Sequence, residues 1–173
     1  VVADCNVSRR KVRELLHHLL WIRVSLGALS ESEETTNDAV APAVDEARLY
    51  ALGERVKHVD ATSWSCAGAY RCLWTMATAA VPVFFIATDG TRATLETWIS
   101  KARGVLVTDR GTQFNFWAME RRQICWAHLL RRFASYATRS GDAGKIGDYL
   151  LLWTRVLFHS WHRVRAGTLT RRE

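Results

Sequence analysis

Two β-prone segments of this chain each run into an aspartate. Residues 55–60 (RVKHVD) end in Asp60, and residues 104–108 (GVLVT) stop at Asp109-Arg110-Gly111. The second segment is short, apolar and uninterrupted, as a strand buried on both faces must be. The separation of the two aspartates, 109 − 60 = 49 residues, leaves room for two more strands and a helix. Residues 69–78 (AYRCLWTMAT) and 81–88 (VPVFFIAT) fill the strand positions, with Ala79-Ala80 as the turn and Pro82 near a strand start, where it is tolerated. A helix over about 91–101 then supplies the crossover. The first three strands are expected to pair antiparallel and the next to join in parallel, giving an α/β fold with the two aspartate-bearing strand ends side by side.

Before this sheet the period is helical. Residues 7–20 (VSRRKVRELLHHLL) carry apolar side chains at 12, 15, 16, 19 and 20 behind Ser8, a natural N-cap. A second helix is expected through the acidic stretch 31–34 toward Tyr50, broken near Pro42. Residues 1–53 thus form a helical segment, either a helix-turn-helix or an ordinary helical hairpin. Gly53 closes it, and residues 54–173 form the second domain. After Asp109, a short strand is expected at 122–125, followed by helices from 126 to about 165, broken near 141–144.

Charge narrows the function. Residues 1–53 hold six Lys/Arg against eight Asp/Glu and residues 54–100 four of each, whereas residues 101–173 hold fourteen against five. A basic half on a neutral body suits a polyanion, whose bound counterions are released on contact. Arg110, Arg121, Arg122, Arg131, Arg132 and Arg139 follow the second aspartate closely, and with a nucleic-acid partner they would grip phosphates without reading sequence. The alternative for these arginines is a solvated helix face. No apolar run approaches the roughly 20 residues needed to span a bilayer. Asp4 and Arg9-Arg10-Lys11 stand where a signal peptide would be apolar, so a cytoplasmic protein with reduced cysteines is expected.

Paired carboxylates at adjacent strand ends can hold two Mg²⁺ ions about 4 Å apart, one activating an attacking oxygen and one steadying the leaving group. A single aspartate in such a place ordinarily caps a strand or turn. For Asp89, followed by Gly90 and a helix, that reading is preferred. Cys125-x-x-His128 and His159-x-x-His162 also have the spacing of zinc-ligand pairs, although on helices such residues are commonly just packed. Cys66 and Cys72 have no partner at a convincing spacing. Trp126 and Trp161 are expected in the core rather than as platforms for bases.

Three blocks, His58-Val59-Asp60-Ala61-Thr62-Ser63-Trp64, Gly104-Val105-Leu106-Val107-Thr108-Asp109-Arg110 and Arg122-Gln123-Ile124-Cys125-Trp126-Ala127-His128-Leu129-Leu130-Arg131, resemble in order and spacing those of the insertion-sequence-66 family of bacterial transposases. Residues 20–30 and 152–165 are similar to segments that flank these blocks in that family, so the resemblance runs from about residue 9 to the end. It implies a ribonuclease-H-like catalytic domain, incomplete at its C-terminus and running into a helical insertion. It also implies metal-dependent cleavage and strand transfer of double-stranded DNA at transposon ends and target. Asp60 and Asp109 would be the first two catalytic carboxylates, and His128 would lie near the scissile phosphate. Mg²⁺ or Mn²⁺ would be the cofactor, and a homo-oligomer associated with the bacterial nucleoid would be the full-length form.

The chain departs from the family pattern in two ways. Ala61 stands where the family usually has Glu. The third carboxylate, a Glu, would lie beyond the helical insertion, whereas this sequence stops at Glu173 inside it, and Glu173 behind Arg171-Arg172 is not expected to be that residue. The family's N-terminal DNA-binding portions have no counterpart here. A two-ion site is accordingly expected only with the missing Glu, and the chain as it stands is expected to bind metal weakly and cut poorly. The competing reading is a non-catalytic remnant that binds DNA or dimerises with an intact transposase.

Overall fold

A computed structural model describes residues 7–66 and 68–171. Asp4, Glu173 and the side chain of Cys66, all weighed above, lie outside what is described. The chain divides after Leu52 into two compact units.

In the first unit, α1 (Arg9–Leu20) begins where the Ser8 hydroxyl accepts the Lys11 N–H at 3.3 Å. It ends where Trp21 turns left-handed, at φ 56°. Helix α2 (Leu26–Gly53) starts under a second serine cap, with Ala28 N–H donating to Ser25 Oγ at 3.0 Å. The expected break at Pro42 is absent: α2 runs through it. A proline removes one backbone hydrogen bond and crowds the carbonyl four residues back. Here that carbonyl is Asp38's, on an exposed stretch where water can serve it, and Ala39, Ala41 and Ala43 favour helix on both sides. Arg9 ties α1 to α2 through Glu33 at 2.7 Å.

The second unit is built on a five-stranded sheet, β1 (Val56–Cys66), β2 (Ala69–Ala77), β3 (Pro82–Ala87), β4 (Val105–Thr108) and β5 (Arg122–Ile124), in the order β3-β2-β1-β4-β5. The first three strands pair antiparallel, whereas β4 and β5 join in parallel. This mixed sheet with flanking helices is the expected ribonuclease-H-like layout. Strand β1 extends six residues beyond the predicted segment, because its second half pairs with β2 all the way to Cys66↔Ala69.

Alternation sorts the sheet into two faces. Val59, Trp74, Met76, Val83 and Leu106 are buried on one. Helix α3 (Arg92–Trp98) covers that face with Leu95 and Trp98, the latter stacked on Phe85 at 5.4 Å. Lys57 shares it and is fully buried, its Nζ donating to the carbonyl of Glu54 at 2.6 Å and to that of Arg103. Burial holds this ammonium below the usual lysine range. The opposite face, with His58, Asp60, Thr62 and Trp64 of β1, is exposed.

Beyond the sheet, α4 (Trp126–Ala137) and α5 (Asp142–Arg165) form a helical hairpin. The break lies at 138–141, earlier than predicted, and Gly144 falls inside α5. Its role is close packing: a Cβ on Gly144 would stand 2.2 Å from the Arg139 carbonyl oxygen, and one on Gly147 2.2 Å from the Ala137 nitrogen. Trp126 is half-buried and packs edge-on against Phe158 at 5.3 Å. Trp161 does not fit the expectation of a core residue; it is 44% exposed.

Gly104 offers a direct test of how β4 enters the sheet. Its φ is +80°, and a Cβ there would lie 2.3 Å from the Arg55 carbonyl oxygen, the group that accepts the Val105 N–H. Gly104→Ala is expected to destabilise the second unit by roughly 2–4 kcal/mol in urea unfolding, from left-handed strain plus the clash. Gly53→Ala, with no atom within 4 Å of the added carbon, is expected to change stability by less than about 1 kcal/mol.

Candidate active site

The register of β1 on β4 places the two aspartates. Val56 pairs with Val105 and His58 with Val107, a constant offset of 49. Asp60 and Asp109 differ by the same 49, and both follow the last β1–β4 pair. Asp60 is therefore not at the end of its strand, as predicted, but in the middle of β1. It lies two residues past the last β1–β4 pair, where β1 continues with β2 alone.

Each carboxylate is oriented through one oxygen. Asp60 Oδ1 accepts the Ala61 N–H at 2.9 Å, and Asp109 Oδ1 accepts the Gly111 N–H at 2.8 Å. The second is an Asx turn, legible in hindsight from the Asp-x-Gly spacing. His128 sits in the first turn of α4, and α4 begins directly after β5. The β4–β5 ladder is extended there by a 2.7 Å bond from Cys125 N–H to the Thr108 carbonyl. Nε2 of His128 lies 3.8 Å from Asp60 Oδ2, while its buried Nδ1 has no partner among the described residues.

Asp109, Arg110, Gly111, Ile124, His128, Leu129 and Arg132 line a cleft of about 560 Å³. His128 is thus common to both halves of the site, lining the cleft with Asp109 and approaching Asp60. Ile124 and Leu129 form its apolar wall, which sequence reasoning missed because nothing distinguishes them from core residues.

The predicted basic residues separate. Arg110 and Arg132 line the cleft, whereas Arg121 and Arg131 are exposed outside its lining, and Arg139 stacks over Tyr136 at 5.0 Å. Arg122, expected on the DNA path, turns inward. It donates to Thr108 Oγ1 (3.1 Å), Asn115 Oδ1 (3.0 Å) and the carbonyls of Asp109 and Gly111 (both 3.1 Å), leaving little to offer a phosphate. Among the described residues no three His, Cys, Asp or Glu side chains stand together as a metal site, so Cys125, His128, His159 and His162 do not assemble the four-ligand zinc site their spacing allowed. The model of the family described as "Transposase IS66 family" matches residues 9–167. No curated protein matches the chain.

Asp89 stands apart from this site, as its turn sequence suggested. The hydroxyls of Thr91 and Thr94 and the Thr91 N–H bring its carboxyl down to about 2, and Thr91 itself caps α3. A carboxyl depressed from 3.8 in this way adds stability that is fully present above about 4 and is lost as pH falls toward about 2. Asp89→Asn keeps an acceptor for Thr91 but cannot titrate. The stability difference between the parent and this variant, followed by thermal unfolding, is expected to shrink through that acid window. A constant difference would mean that the charge contributes nothing.

Proposed function

The chain belongs to the IS66 family of transposases, and on that premise we propose that its second unit is the catalytic domain of a DNA strand-transfer enzyme in which Asp60 and Asp109 hold a divalent metal ion. The observation that carries this reading is the shared offset of 49, which brings the two aspartates to the same end of the β1–β4 pairing. Enzymes of this class use divalent metals in general, and the donor set suits Mg²⁺ or Mn²⁺. Both groups are hard oxygen ligands, and each has one oxygen anchored by a backbone N–H. The metal would activate an attacking oxygen and stabilise the leaving one.

The chain's own residues do the rest. Arg110 and Arg132 bind backbone phosphates of double-stranded DNA at the mouth of the cleft. Arg121 and Arg131 extend that basic surface. His128 presents Nε2 toward the same space, placed to donate to a phosphate oxygen. A third carboxylate would complete the two-ion site, and self-association into a homo-oligomer would bring two transposon ends together. No helix among the described residues is long and apolar enough to cross a membrane.

Mn²⁺ titration followed by electron paramagnetic resonance tests the metal role. The chain is expected to bind Mn²⁺ weakly, and Asp60→Asn and Asp109→Asn are each expected to abolish that binding while leaving the fold intact. Binding unchanged in both variants would sink the reading. For the DNA surface, Arg110→Ala and Arg132→Ala are each expected to reduce the salt slope of duplex binding by about 1, with no change in sequence preference. An unaltered slope would remove the cleft from the DNA path.

A further inference from the structure

We infer that Arg122 is a positioning residue for Asp109, not a phosphate contact. The inference rests on the reading of Asp109 as a metal ligand and adds what holds that ligand in place. Asp109 follows the last residue of β4, so the ladder no longer fixes it. Its carboxylate is aimed by one bond, from the Gly111 N–H. The peptides around that bond are in turn held by a single guanidinium. Arg122 Nη2 donates to the carbonyls of both Asp109 and Gly111, one on each side of the turn. Nε donates to Thr108 Oγ1, whose own hydroxyl donates to the Asp109 carbonyl at 2.8 Å. Nη1 reaches Asn115 Oδ1, beyond the short 3₁₀ turn Thr112–Phe114.

The clamp is anchored at both ends. Arg122 is the first residue of β5 and pairs with Leu106, which is fully buried. Its guanidinium lies 5.6 Å from the ring centroid of Phe114, a residue 1% exposed that meets the Trp74 ring edge-on at 6.1 Å. The sheet core thereby sets the loop, and the loop sets the carboxylate. Four donors in one rigid plane make this possible. A lysine has three donors and no fork, and can hold the two carbonyls but not Thr108 and Asn115 as well.

The test compares the parent chain with Arg122→Met, which keeps the stem against Phe114, and Arg122→Lys. Amide exchange of Gly111, read by NMR, reports the Asp109 turn directly. It is expected to quicken about tenfold in Arg122→Met, as for one lost buried hydrogen bond, while the Leu95 amide in α3 exchanges as before. Arg122→Lys is expected to recover part of that protection. Mn²⁺ affinity is expected to fall roughly tenfold in Arg122→Met, the size of effect seen when a group behind a metal ligand is removed. The salt slope of duplex binding is expected to stay unchanged.

Parental Gly111 exchange in Arg122→Met, or a salt slope reduced by about 1, would overturn the inference. If Arg122→Met does not fold, Arg122→Lys decides on the same readouts: intermediate exchange supports the clamp, and parental exchange overturns it. If the parent binds no Mn²⁺ at the two aspartates, the metal reading fails, and Gly111 exchange still decides whether Arg122 holds the turn.

Discussion

The second unit depends on one pairing, that of β1 with β4 in parallel. A parallel strand cannot be reached by a hairpin, so the chain must first complete β2 and β3 and cross back through α3. The crossover lays Leu95 and Trp98 over the sheet face that carries Val59, Trp74 and Leu106, and closes the core. The entry to this pairing is tightly built. The Arg55 carbonyl accepts the first N–H of β4, Gly104 lets the backbones approach, and Lys57 draws the carbonyls of Glu54 and Arg103 together from within the core. Any slip in register would move Asp60 away from Asp109, and a slip of one residue would also turn Val59 out of the core. Core packing and site geometry are therefore fixed by the same hydrogen bonds.

Much of this was legible in the sequence because strands signal locally. The apolar run at 104–108, the alternation in β2 and the turn at Ala79-Ala80 each report their own conformation, and the 49-residue spacing reports the crossover. The errors came where tertiary context decides. Nothing in residues 61–66 separates a loop from a strand that exists because β2 pairs with it. Pro42 reads as a helix breaker, yet a solvated helix rich in alanine absorbs the loss of one hydrogen bond. Gly144 reads as a loop residue, whereas α5 uses its missing side chain to approach the end of α4. Arg122 was grouped with the other arginines that follow Asp109, and position in the sequence cannot tell a guanidinium that faces water from one that organises a loop.

The two faces of the sheet divide the work. On the covered face, large side chains interlock and leave little freedom, as the Phe85–Trp98 and Trp74–Phe114 contacts illustrate. The other face carries Asp60 with His58 and Thr62 and is open. Residues there are free of packing constraint, so their chemistry is set by what the strand ends and loops bring close.

His128 shows how such an arrangement biases a side chain before any ligand arrives. Burying an imidazole nitrogen without a partner costs about 1–3 kcal/mol, and an orphaned N–H, the stronger obligation, costs more than an orphaned lone pair. Nδ1 of His128 is buried and unpartnered, while Nε2 faces the Asp60 carboxylate. The neutral ring therefore favours the tautomer with its proton on Nε2, leaving the bare lone pair inside. That choice turns a donor toward the Asp60 carboxylate. The first turn of α4 adds its positive end on the same side. On the proposed reading, β5 matters less as a strand than as the element that delivers this helix start, and His128 with it, to the open face of β1.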